Sequence, residues 1–89
     1  MYILTVHGKE TEGAYSVQDD TGENILYLFE EEDVAVRYAM MLEDCVGEMD
    51  VLEIDDEAII KTCVVKNHKF AIITPNDIVI PPETEHDFI

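Results

Sequence analysis

The chain has 89 residues, 21 of them Asp or Glu and 5 Lys or Arg, for a formal net charge of −16. Such a surface repels nucleic-acid backbones and anionic membranes and attracts basic proteins or cations. The length holds one hydrophobic core but not two. With 47% hydrophobic residues, the chain meets the charge condition for disorder but not the low-hydrophobicity one.

Met1 to Val6 is a β-branched and aromatic run that predicts a first strand, followed by a polar, glycine-containing loop from His7 to Gly13. Ala14 to Val17 predicts a short strand and Ile25 to Phe29 a nearly continuous apolar one, implying burial on both of its faces. Asp19-Asp20-Thr21-Gly22 between them reads as a turn, so the two strands form a hairpin.

A first helix is expected from Glu30-Glu31-Glu32-Asp33 to about Cys45, its acids favoured by the helix macrodipole. Val34, Ala35, Tyr38, Ala39, Met41, Leu42 and Cys45 supply its apolar face, and Arg37 stands one turn from Asp33 as an ion-pair partner. Gly47 marks its left-handed end. Met49 to Ile54 reads as a strand with one wet face. Asp55 then caps a second helix with Ile59, Ile60, Cys63 and Val64 as its stripe, terminated at Asn67. Phe70 to Ile73 is the last expected strand. Beyond it, Ile78-Val79-Ile80 is expected to dock as an extended segment at most.

This order predicts an α+β fold: a small antiparallel or mixed sheet with both helices on one face, a ferredoxin-like two-layer sandwich with an extra N-terminal hairpin. Residues 1–75 are expected to form the domain and 76–89 an acidic, proline-containing tail.

Four stretches taken together carry a resemblance: Glu12-Gly13-Ala14-Tyr15-Ser16-Val17; Leu28-Phe29-Glu30-Glu31-Glu32-Asp33 running into Arg37-Tyr38-Ala39 and Leu42-Glu43; Val51-Leu52-Glu53-Ile54-Asp55; and Pro81-Pro82-Glu83. In order and spacing the set resembles a family of small domains of unknown function from cyanobacteria and chloroplasts, with relatives in viruses of cyanobacteria. The resemblance implies a phototroph setting, or a phage that infects one, and carries no catalytic residues to transfer.

No constellation of residues predicts catalysis, a cofactor or a metal. His7, His68 and His86 fall in separate segments, and neither His-x-x-His nor Cys-x-x-Cys spacing occurs. Cys63 and His68 lie five residues apart across a helix end without a third, orienting group. Asp19 to Asn24 lacks the alternating acids and the closing Glu of a calcium loop. Glu10 and Glu12 beside Gly8 and Gly13 disfavour phosphate. The aromatics Tyr2, Tyr15, Tyr27, Phe29 and Tyr38 are expected to pack the core.

Charge is thus the guide to function. Glu10 to Glu57 contains most of the carboxylates and a single cation, Arg37, whereas Lys61, Lys66 and Lys69 follow in a stretch without acids. The expectation is a protein-interaction or regulatory module that meets a basic partner through Glu30, Glu31, Glu32, Asp33, Glu43, Asp44, Glu48 and Asp50. The alternative is a DNA mimic that occupies a host protein's DNA channel. With no signal peptide or apolar spanning segment legible, a cytoplasmic location is expected, in the stroma of a plastid or in the host cytoplasm if phage-encoded.

Overall fold

In the computed structural model, which describes residues 1–9, 13–77 and 86–89, the apolar run Asn24–Phe29 lies at the centre of a six-stranded mixed sheet. The elements in chain order are β1 (Tyr2–Val6), β2 (Tyr15–Gln18), β3 (Asn24–Phe29), α1 (Glu32–Leu42), β4 (Met49–Glu53), α2 (Asp56–Val65), β5 (Lys69–Ile73) and β6 (His86–Phe88). The β2–β3 hairpin forms as expected, with Ser16 opposite Leu26 and Gln18 opposite Asn24. Along its other edge β3 pairs in parallel with the whole of β5, from Ile25↔Lys69 to Phe29↔Ile73. β1 meets β3 only at Tyr2↔Phe29 and pairs along its full length with β4.

The α+β class, the mixed sheet and the two helices agree with the sequence reading, but the placement of the helices does not. Alternate residues of a strand face opposite ways. Leu4, Tyr15, Phe29 and Ile73 cluster with Ala35, Tyr38, Ala39 and Leu42 of α1. Ile3, Leu26 and Leu28 form a second cluster with Cys63, and Ile59, Ile60 and Phe70 pack against it. The helices therefore cover opposite faces, giving three layers rather than two.

Topology supplies the reason. β1 is antiparallel to both β3 and β4, and β5 is parallel to β3, so β3, β4 and β5 all run the same way. The crossover through α1 steps outward past β1, and the crossover through α2 steps back past β1 and β3. Two crossovers of the same hand that reverse direction must use opposite faces.

The expected tail is also corrected at its far end. β6 pairs with β2, placing Phe88 opposite Tyr15. Ala14 and Ile89 exchange backbone hydrogen bonds of 2.7 and 2.9 Å. Phe88 packs on the first core cluster and Ile89 on the second. Gly13 makes this contact possible: at φ +109 its position would bring a Cβ to 2.6 Å from the Ile89 carbonyl oxygen. The docking expected of Ile78-Val79-Ile80 lies outside the described residues, as do Glu12 and Pro81-Pro82-Glu83.

Local signals set the helix ends. The Asp55 carboxylate accepts from the Ala58 amide at 2.9 Å, capping α2. Asn67 at φ 58 takes the left-handed conformation at the end of α2, and Gly47 at φ 121 redirects the chain after the turn residues that follow α1. α1 stops at Leu42, earlier than expected, and the Leu42 carbonyl accepts from the amides of Cys45, Val46 and Gly47. Cys45 is consequently exposed, whereas the sequence pattern placed it on the apolar face of the helix.

Candidate functional site: the outer face of the first helix

α1 buries Ala35, Tyr38, Ala39 and Leu42 against the sheet, so its 3.6-residue period turns another set of residues to solvent. Val36 and Met40 stand one turn apart on this outer side, 41% and 64% exposed. Glu32 and Asp33 lie one turn before Val36, and Glu43 and Asp44 one turn after Met40, all four exposed. Glu43 keeps a helical backbone (φ −55, ψ −37), so the stripe continues past the last helical residue. The result is an acid pair, two apolar side chains and a second acid pair, over a rise of roughly 18 Å. Arg37 is exposed on the same side; among the described residues it makes no ion pair with Asp33, contrary to expectation.

The two acid pairs differ in energetics. Glu32 and Asp33 occupy the first turn, where the exposed amides and the macrodipole favour negative charge. Glu43 and Asp44 sit at the opposite end, where negative charge is disfavoured, and no basic residue occupies the last turn. Helix chemistry accounts for the first pair and opposes the second.

The other residues singled out from the sequence are distributed around this stripe. Glu30 and Glu31 lead into α1, and the Glu30 amide donates to the Ile73 carbonyl at 2.9 Å, extending the pairing of β3 with β5. Glu31 occupies the N-cap position without a side-chain capping bond. Glu48 precedes β4, and its carbonyl accepts from the His7 amide at 3.0 Å. Asp50 lies opposite Thr5, on the sheet face that carries α2, and its carboxylate is 2.9 Å from His7 Nδ1. The eight residues therefore do not share one face: Glu32, Asp33, Glu43 and Asp44 do, and Asp50 is across the sheet from them.

Further acids gather at the pole where both helices begin. Asp55 caps α2, Asp56 contacts the Met1 amino group, and Glu53 accepts from the Tyr2 hydroxyl at 3.3 Å. Burial, then the charges of Glu53 and Glu32, push the Tyr2 phenol up. At the opposite pole Asp19 organises the hairpin turn. Its carboxylate accepts from the amide and hydroxyl of Thr21 and the amide of Glu23, and it pairs with Lys69 at 3.0 Å. The Thr21 hydroxyl and Lys69 hold this carboxyl well below the usual range. Lys69 also pairs with Glu23 at 2.8 Å.

Cys63 is buried, and burial pushes its thiol up, away from the thiolate a nucleophile requires. Its contact with His68 is a backbone one, His68 N–H donating to the Cys63 carbonyl at 2.8 Å. Tyr15, Tyr27, Tyr38 and Phe29 stack edge-on or tilted within the core, with the Tyr15 and Tyr38 hydroxyls 3.3 Å apart. Among the described residues no group of three His, Cys, Asp or Glu is placed to hold a metal ion, and no helix is long and apolar enough to cross a membrane.

Val36 and Met40 were not among the residues expected at a site. Their signal is present in the sequence: both are apolar, and both fall outside the three- and four-residue series that defines the buried face of α1.

No curated protein and no solved structure matches the chain. A family model described as a domain of unknown function, DUF3110, matches residues 1–83, and the chain belongs to that family.

Proposed function

We propose that this protein is a small non-catalytic interaction or regulatory module of a cyanobacterium, chloroplast or cyanophage. It docks on a basic protein through the outer face of α1. The carrying observation is the Glu43–Asp44 pair, held exposed at a helix C-terminus where charge of that sign is disfavoured. Local rules broken without a structural return concentrate at functional surfaces. The phototroph setting rests on the motif resemblance, and the non-catalytic reading is supported by Cys63, the candidate nucleophile, being buried with its thiol pushed up.

Carboxylate spacing weighs against the DNA-mimic reading on this face. Duplex DNA presents one charge per ~1.7 Å, or about ten over the length of the stripe. Here two acid pairs are separated by Val36 and Met40, with Arg37 between them.

Affinity capture from phototroph extract tests the proposal. Wild type is compared with a variant carrying Glu32→Gln, Asp33→Asn, Glu43→Gln and Asp44→Asn, at low and moderate salt. A partner retained by wild type, lost by the variant and released by salt is the expected result. A partner captured equally by both, or insensitive to salt, contradicts docking through this face.

A further inference from the structure

The apolar residues between the acid pairs point to the shape of the partner. Val36 and Met40 are one turn apart and exposed, and Met41 on the flank is 39% exposed. Methionine is a side chain suited to adaptable binding surfaces, because its unbranched thioether repacks around different partners. A purely electrostatic contact needs no apolar centre, and a solvated helix face gains nothing from one.

We infer that the outer face of α1 receives a basic amphipathic helix of a partner protein. This inference rests on the docking reading above and names the partner's chemistry. The surface is a convex helical ridge with roughly 18 Å between its outer acids. A second helix packs on such a ridge by interdigitating side chains. Its complement is a helix of about 12 residues with one or two apolar residues at its centre and Lys or Arg toward both ends. Charge complementarity sets the register: the terminal cations meet Glu32 and Asp33 at one end and Glu43 and Asp44 at the other. Burial of Val36 and Met40 between them supplies the apolar part of the affinity.

The experiment uses a labelled synthetic peptide of about 14 residues, with lysine pairs near its ends and leucines one turn apart at its centre. Fluorescence anisotropy measures its affinity for three proteins. They are wild type, the double variant Val36→Ser/Met40→Ser, and the fourfold acid-neutralised variant described above. Both substituted faces are exposed, and far-UV circular dichroism checks that each variant keeps its fold. Both variants are expected to bind the peptide at least about tenfold more weakly than wild type. Polylysine, which lacks an apolar face, is expected to distinguish only the acid-neutralised variant.

If Val36→Ser/Met40→Ser binds the peptide as wild type does, the amphipathic-helix inference is overturned while acidic docking stands. Wild type binding polylysine but not the peptide overturns it in the same way. Failure of both ligands to bind, or binding undiminished by acid neutralisation, overturns the docking reading itself.

Discussion

Single side chains record where this fold satisfies its polar groups and where it does not. Thr5 is 3% exposed, and among the described residues its hydroxyl has no hydrogen-bond partner. An unpartnered buried hydroxyl is costly, and an apolar group of the same shape removes that cost. Thr5→Val should therefore raise stability by about 1 kcal/mol in urea unfolding; a lowered midpoint would show that the hydroxyl is bonded. Asp19 represents the opposite situation, a carboxylate with more partners than an ordinary surface acid. In the folded state its pKa lies below the ordinary 3.8, held down by the Thr21 hydroxyl and Lys69. Its contribution is therefore complete above that value and declines as pH falls through it toward the lower folded value. Asp19→Asn should cost stability at neutral pH, and the difference from wild type should narrow below pH 3.8. A gap independent of pH would mean that the carboxylate's charge does not stabilise the turn.

Elements whose signals are local were legible in the sequence. The β2–β3 turn, the Asp55 cap and the left-handed end at Asn67 each depend on a few neighbouring residues, and each forms where expected. The Asp55 cap is testable at this scale. Asp55→Ala should destabilise the protein by about 1 kcal/mol, and an unchanged thermal midpoint would mean that α2 begins without it. Helix placement was harder to read because it depends on the order of strands in space. The continuous apolar run of β3 already implied burial on both faces, and that implication is incompatible with two helices on one side. Only the reversal from the α1 crossover to the α2 crossover explains how both faces are covered. The C-terminal strand was missed for a different reason. Phe88 and Ile89 follow a proline- and acid-rich stretch, and nothing local reveals that β2 has an open edge for them. At the site, the acids of α1 were legible from composition, but their grouping required the helix phase, which brings Glu32, Asp33, Glu43 and Asp44 together, and the face alternation of β4, which puts Asp50 across the sheet.

At the scale of the whole molecule, a net charge of −16 on 89 residues opposes compaction by self-repulsion. Both helices start at the same pole because their crossovers leave strands that run the same way. Acids favourable to each helix start alone are thereby concentrated together. Added salt should screen this repulsion and raise the unfolding midpoint between low and moderate ionic strength; a midpoint that stays fixed would mean the carboxylates are already compensated. Helix chemistry explains the pole but not the acids at the far end of α1, and the functional proposal rests on those. Backbone amide NMR mapping tests it most directly, by titrating the isotopically labelled protein with the basic amphipathic peptide and recording which signals move. Docking on the outer face of α1 predicts that the largest changes fall on Glu32, Asp33, Val36, Met40, Glu43 and Asp44 and disappear with added salt. Changes centred on Asp55, Asp56 and Glu57 instead, or spread evenly over the acidic surface, would contradict it.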